Sequence, residues 1–169
     1  MNANPLSWCF RAQFLFGFAV CVSLLAYAVF AQYGQLFEPC PLCIFQRVAM
    51  AATAAVGLVG GLHAPRAAWG RRLYGLLAFL AAGTGAAIAG RHVWLQHLPP
   101  DRVPECGPGL SYMIDVLPSW AAVVRKVLQG SGECAKVDWT FLGFSMPEWT
   151  LLCFVLLAAG ALTAGFRRR

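Results

Sequence analysis

The chain has 169 residues and a net charge of +6, and 59% of it is hydrophobic while only 12% is Asp, Glu, Lys or Arg. A water-soluble domain carries about 25% charged residues. With a mean hydropathy of +0.63, this composition excludes an ordinary soluble enzyme and points to one domain built within a membrane.

Charges are spaced to match. None lies between Arg11 and Glu38, Arg47 and Arg66, Arg72 and Arg91, or Glu148 and Arg167. A charge-free stretch such as 73–90, rising about 1.5 Å per residue, covers roughly 27 Å of a hydrocarbon core about 30 Å thick. Four transmembrane helices are therefore predicted, near 14–32, 44–62, 73–90 and 149–166. They form a single all-α bundle across residues 1–169, because unpaired backbone cannot face lipid.

All seven acids, Glu38, Asp101, Glu105, Asp115, Glu133, Asp138 and Glu148, fall in the loops 33–43 and 91–148. The opposite side carries Arg11, Arg66, Arg71, Arg72 and Arg167 to Arg169, with no acid. The positive-inside rule then makes both termini and the 63–72 loop cytoplasmic and turns the two acid-bearing loops outward. Arg11, the apolar run after it and Ala26-Tyr27-Ala28 loosely resemble a cleaved secretory signal. The charge-free run continues well past Ala28, which suits a retained helix better.

The first span ends at Phe37-Glu38-Pro39, and Cys40-Pro41-Leu42-Cys43 leads directly into the second. That second span contains Gly57-x-x-x-Gly61, and the third contains Ala81-Ala82-Gly83-Thr84-Gly85-Ala86-Ala87. Such runs of small residues let membrane helices approach closely. Between 91 and 148, Pro99-Pro100, Pro104 and Gly107-Pro108-Gly109 make a flexible stretch around Cys106. Ser119 is placed to cap a short helix. Its apolar residues Trp120, Val123, Val124, Val127 and Leu128 form one stripe, with Arg125 and Lys126 off it. This amphipathic helix is too short to span and is predicted to lie on the membrane surface. Gly130-Ser131-Gly132 then reads as a hinge before Cys134. Tyr33, Trp94, Trp139 and Trp149 fall near the outer interface and Trp8 and Trp69 near the inner one. They read as an aromatic belt without chemistry.

Seven cysteines divide by position. Cys9, Cys21 and Cys153 lie in or beside spans, where a thiol packs as a small apolar group. Cys40, Cys43, Cys106 and Cys134 all lie in outward loops, and an even number facing an oxidising compartment suggests disulfides. Two thiols two residues apart can close an exchangeable disulfide. Cys43 opens the second span, facing unpaired amides and the positive end of a helix dipole, with Arg47 one turn on. Both favour thiolate, so a depressed Cys43 pKa is expected. Alternatively Arg47 only snorkels to headgroups. Cys106 and Cys134, flanked by Gly and Pro, read either as a structural staple or as an exchangeable pair. His92, at about the depth of Arg47, is either an ordinary interfacial residue or a second group able to hold a quinone carbonyl. His63 and His97 look incidental. No metal ligand is assigned, since His63 lies on the side opposite the other two.

Together these residues resemble the disulfide bond formation protein B family of bacterial inner-membrane proteins. The resemblance covers essentially the whole chain. It is most specific at Cys40-Pro-Leu-Cys43-Ile-Phe-Gln-Arg47-Val, at Arg91-His92-Val-Trp-Leu-Gln, and from Gly132-Glu-Cys134-Ala through Trp139-Thr-Phe-Leu-Gly143-Phe-Ser-Met146-Pro-Glu-Trp149. It implies a thiol:quinone oxidoreductase that reoxidises a periplasmic thioredoxin-fold thiol oxidase, DsbA-like, and passes the electrons to ubiquinone or menaquinone in the membrane. It further implies a Cys106–Cys134 disulfide attacked by the partner at Cys106. Cys134 then attacks Cys40, Cys43 leaves as a thiolate, and Arg47, His92 and, more weakly, Met146 hold the quinone. Gln46 stands where some members have Glu, and the resemblance puts one fewer negative charge beside Arg47. Vitamin K epoxide reductase-like oxidoreductases also set a CxxC in a four-helix bundle, but late in the chain rather than before the second span. A metal- or haem-binding membrane module is the alternative from a different class.

Overall fold

Residues 9–34, 39–105, 107, 110–137 and 139–167 are described by the computed structural model. Cys106, Trp8, Phe37, Glu38, Pro108, Gly109, Asp138 and the last two arginines lie outside the described residues.

Among the described residues, four helices are long and apolar enough to cross a membrane: α1 (Phe10–Gly34), α2 (Pro41–His63), α3 (Ala68–Gln96) and, after the 91–148 region, α7 (Met146–Phe166). Each packs against its neighbours in the order α1, α2, α3, α7, and α7 returns to α1 to close the bundle. The predicted spans fall inside these helices, but the helices are longer. Charged residues at helix ends need not stop a helix, because their heads reach water while the backbone stays bonded. The connection expected over 63–72 shrinks accordingly to Ala64–Ala67, with Ala64 in the left-handed region at φ 40°. At 29 residues, α3 is roughly 44 Å long. That exceeds a hydrocarbon core of about 30 Å, and its last turns, bearing Arg91, His92 and Gln96, are the post on which the large loop is built.

Close approach is bought with small residues. A Cβ on Gly75 would stand 2.9 Å from the Gly165 Cα, and one on Gly57 would stand 3.3 Å from the backbone of Phe14 and Phe18. The Phe154 ring fills the space over Gly85 and is fully buried. The packing role expected of these runs thus holds for Gly57, Gly61 and Gly85, whereas Gly83 faces open space. Cys21 lies in the mid-bundle core with Met50, Ala82 and Phe154.

The 91–148 region contains a 3-10 turn at Pro100–Arg102, then α4 (Leu110–Val116), α5 (Trp120–Gln129) and α6 (Gly132–Ala135). Ser119 caps α5 by accepting from the Ala122 amide at 3.3 Å, as its sequence position suggests. Val123 and Val127 are buried, while Trp120, Val124 and Leu128 remain exposed. The stripe is therefore split. Val123 and Val127, one turn apart, pack into a cluster with Leu42, Leu95, Met113, Cys40 and Cys134. Burying each valine stabilises that docking by about 1.5–3 kcal/mol.

A short hairpin follows, β1 (Thr140–Phe141) and β2 (Phe144–Ser145), antiparallel with Phe141 opposite Phe144. Its turn places Leu142 and Gly143 at φ 53° and 83°. That is the paired positive-φ geometry of the turns that match strand twist. The hairpin delivers the chain into α7, where the Glu148 carboxylate accepts from the Ser145 amide at 2.6 Å.

Candidate active site

Cys40 is the N-cap of α2, with extended backbone (φ −65°, ψ 161°), and Pro41 takes the first helical position. Proline suits that position because its missing N–H would be unpaired there anyway. The Cys40 sulfur does what a Ser or Asp oxygen does at other caps: it accepts from the Cys43 amide at 3.4 Å. Four residues of sequence thereby hold two thiols over one helix end, with Sγ atoms 3.1 Å apart and unbonded.

His92 reaches this pair from α3. Its Nε2 lies 3.9 Å from Cys40 Sγ, and its Nδ1 lies 3.0 Å from the Gln46 carboxamide. The ring is 3% exposed and Gln46 6%. Gln46 thus turns toward His92 rather than toward its sequence neighbour Arg47. Consecutive helical residues point about 100° apart, so two neighbours cannot serve the same partner. Gln46 is a site residue that spacing alone did not reveal.

Arg47 points to α1. Its guanidinium donates to the Gln32 side chain and to the Ala28 carbonyl, the latter at 3.0 Å. It ties α2 to α1 while remaining on the wall of the same cavity as Cys43.

Cys134 comes from α6. It is 1% exposed and shares the apolar cluster of Cys40. Its hydrogen-bonding neighbour Cys40, together with burial, pushes the Cys134 thiol well above the ordinary thiol range. The Ser131 hydroxyl stands 3.7 Å from its sulfur. The stretch expected to act as a hinge is packed: Gly130, at φ 83°, sits so close to Leu95 that a Cβ would lie 2.3 Å from that side chain. Ser131 and Gly132 are buried too. Arg91 fixes the same place, donating to the Leu128 and Gln129 carbonyls at 3.1 Å each. Cys106 is outside the described residues, so the expected Cys106–Cys134 pairing is not among the observed contacts.

Cys40, Cys43, Gln46, Arg47 and His92 open onto one cavity of about 360 Å³. Cys40, Cys43, Arg47 and His92 stand at its polar side, with Leu24, Leu25, Met50 and Pro147 among its apolar walls, and Met146 lines it as well. Trp139 and Trp149, read from sequence as belt residues, also wall this space. They are held by the hairpin, through Trp139 stacked on Phe141 and the Trp149 indole donating to the Phe141 carbonyl at 3.1 Å. Gln96 ties the wall together, accepting from Ser145 Oγ at 2.8 Å. Tyr33, Trp69 and Trp94 are exposed. His63 pairs with Tyr74 near the other end of α2, and His97 lies 3.9 Å from Glu148 outside the cavity. Such a site has sulfurs that can exchange, a buried imidazole, and an adjacent apolar chamber.

Comparison with known proteins agrees with this geometry. The family model described as "Disulfide bond formation protein DsbB" matches residues 10–164. A Disulfide bond formation protein B of Xanthomonas euvesicatoria pv. vesicatoria is 54% identical over 166 residues, covering 98% of this chain and 96% of the relative. Proteins of the same name from Methylococcus capsulatus and Xylella fastidiosa are 53% identical over 152 residues and 48% identical over 164. These matches cover 90% and 97% of this chain and 92% and 94% of the relatives. With four helices fit to cross a membrane and three cysteines gathered at one end of the bundle, the chain belongs to the DsbB family of membrane-embedded disulfide bond formation proteins.

Proposed function

We propose that this protein is a thiol:quinone oxidoreductase. It reoxidises a thioredoxin-fold thiol oxidase outside the cytoplasm, in the bacterial inner membrane with both termini cytoplasmic, and passes the electrons to membrane quinone. The observation that carries the reading is the row of sulfurs at the cavity: Cys134 beside Cys40, Cys40 beside Cys43, and Cys43 on the cavity wall.

The cavity suits a quinone. Its volume is in the range of small-molecule pockets, its walls are apolar, and donors stand at one side in Arg47 and His92. Two of the five guanidinium donors of Arg47 are engaged with α1, which leaves others to face a carbonyl oxygen. When bound, the quinone supplies a two-electron acceptor that also takes up two protons.

The residues of the chain do the rest. A partner thiolate attacks Cys106 of a Cys106–Cys134 disulfide, forming a mixed disulfide and releasing Cys134. Cys134 attacks Cys40 of the Cys40–Cys43 disulfide, and Cys43 leaves as a thiolate. The second partner thiol then resolves the mixed disulfide at the partner's own sulfur, releasing Cys106. Cys106 attacks Cys134 of the Cys134–Cys40 disulfide, which restores Cys106–Cys134 and leaves Cys40 and Cys43 as the dithiol whose two electrons and two protons a bound quinone would take up. A low-pKa leaving thiol speeds exchange, and the α2 N-terminus supplies that environment at Cys43. His92 holds a proton-transferring nitrogen next to Cys40, and the apolar walls exclude water.

Anaerobic mixing of the purified protein with quinone and the reduced partner tests this, following quinone absorbance and acid-trapped mixed disulfides. Cys40→Ser and Cys43→Ser should each abolish quinone-dependent oxidation of the partner, and unchanged turnover in either variant overturns the reading. Arg47→Ala should raise the apparent KM for quinone. An unchanged KM removes Arg47 from the quinone site.

A further inference from the structure

Cys40 Sγ, Cys43 Sγ and His92 Nε2 lie within 4.8 Å of one another. Two thiols and an imidazole on facing helices are a donor set with its own chemistry, apart from electron transfer. We infer that the reduced site binds one zinc-class divalent cation through these three side chains.

The distances support it. Zinc bound by sulfur at about 2.3 Å and by imidazole nitrogen at about 2.0–2.1 Å in a tetrahedron sets sulfurs about 3.8 Å apart and sulfur about 3.5 Å from nitrogen. Cys40 and Cys43 stand at 3.1 Å, and Cys40 and His92 at 3.9 Å. Thiol rotation of under roughly an ångström closes both differences. A metal-binding histidine needs its other nitrogen held by a hydrogen-bond partner, which fixes ring and tautomer. Gln46 already occupies that place at 3.0 Å from Nδ1. The Gln46 NH₂ faces Nδ1; turning the carboxamide over by half a turn about its last bond presents its oxygen to Nδ1–H instead and leaves the Nε2 lone pair aimed at the sulfurs.

Charge favours the dithiolate complex. Two thiols lose two protons on binding, and the resulting thiolates neutralise the dication. They do so at a helix N-terminus that already stabilises negative sulfur. Three protein ligands leave one tetrahedral position open on the cavity side, since all three residues line that cavity. This is the open form of zinc site rather than the closed structural one. The cation and the Cys40–Cys43 disulfide use the same sulfur electron pairs, so they exclude each other. Zinc occupancy would hold the site reduced.

The full chain in detergent, reduced with a phosphine under argon and desalted, is titrated with Zn²⁺ against a chromophoric chelator and separately with Co²⁺. One equivalent of Zn²⁺ should bind, and Co²⁺ should develop thiolate-to-metal charge-transfer absorption. The protein oxidised at Cys40–Cys43 should lose that equivalent. Cys43→Ser and the shape-preserving His92→Gln should each abolish it. Gln46→Leu should weaken binding about 10- to 100-fold while leaving the stoichiometry at one. Cys9→Ser and Cys153→Ser should leave it unchanged. An equivalent that survives both Cys43→Ser and His92→Gln overturns the inference, as does reduced protein that takes up no zinc. Because the readout is binding, failure here leaves quinone-dependent turnover unaffected as evidence on the enzyme.

Discussion

The Gln46 carboxamide lies 3.0 Å from Nδ1 of His92, and the same ring presents Nε2 to Cys40 at 3.9 Å. A residue one turn inside α2 thus sets the orientation of the imidazole that α3 brings to the thiols. Both partners are nearly inaccessible, so the bond has no water to replace it.

Gln46→Leu should therefore leave a buried ring nitrogen unsatisfied, at a cost of about 1–3 kcal/mol. The thermal midpoint should fall, and turnover with the reduced partner should drop about tenfold, the equivalent of about 1.4 kcal/mol. Gln46→Glu, whose carboxylate cannot donate to Nδ1 as the Gln46 NH₂ does and must wait for a proton on that nitrogen, should recover the turnover only in part. A Gln46→Leu protein as active as the parent would show that the ring does not depend on this bond.

The raised pKa of Cys134 fixes a sign. Contact with Cys40 and burial favour its neutral thiol in the folded state. The stability this contributes is complete below the unfolded thiol pKa of about 8.5 and is lost as pH rises from there toward the folded value. Reduced parent protein should thus lose stability between about pH 8.5 and pH 11 more steeply than Cys134→Ala. Alkylation of Cys134 should still be accelerating at pH 10, where an exposed thiol has levelled off. A plateau in its alkylation rate near pH 9 would contradict the assigned environment.

The four spans were legible because lipid tolerates no charge, so Arg11, Arg47, Arg72 and Glu148 bracket them in the chain. Helix ends were less legible. Arg91 is charged and yet helical, since its guanidinium finds carbonyls of α5. Ser119 announced α5 because capping is local chemistry. The hairpin at Thr140–Ser145 did not announce itself, for two-residue strands carry no alternation. The cysteines, Arg47, His92 and Met146 were named from the chain, and all but Cys106 fall among the described residues. Gln46, Trp139 and Trp149 were not assigned to the site: the partner of Gln46 comes from another helix, and an interfacial tryptophan and a cavity-lining one have the same composition signature. Only the tertiary fold separates them.

Glycines 83 and 85, two residues apart on α3, offer a paired test of packing. A Cβ at Gly85 would lie 2.3 Å from the Phe154 ring, whereas at Gly83 it would meet nothing within 4 Å. Phe154 is fully buried and cannot swing away without opening the core. Gly85→Ala should therefore destabilise by about 1–3 kcal/mol through overpacking. Gly83→Ala should be neutral or stabilise by up to about 1 kcal/mol through helix propensity. Thermal scans in detergent measure both, and equal midpoints for the two variants would refute the close α3–α7 contact.

Arg91 joins α3 to the segment that carries Cys134. Its Nε and one terminal nitrogen donate to Leu128 and Gln129, the last carbonyls of α5, which have no partner within the helix. A cation there also meets the negative end of the helix dipole, worth about 0.3–1 kcal/mol at an exposed site. The guanidinium is further braced over the Trp94 ring at 4.1 Å. Immediately after those carbonyls come Gly130, pressed on Leu95, and then Cys134. Arg91→Ala should loosen this docking, so amide exchange over residues 120–135 should speed about two- to fivefold while α1, α2 and α7 stay protected. In rapid-quench experiments the partner should still form its mixed disulfide, but the following attack of Cys134 on Cys40 should slow. Arg91→Lys, with a single donor head in place of a fork, should fall between the two. If Arg91→Ala slows formation of the mixed disulfide itself and leaves exchange over 120–135 unaltered, then Arg91 acts on the partner rather than on the position of Cys134.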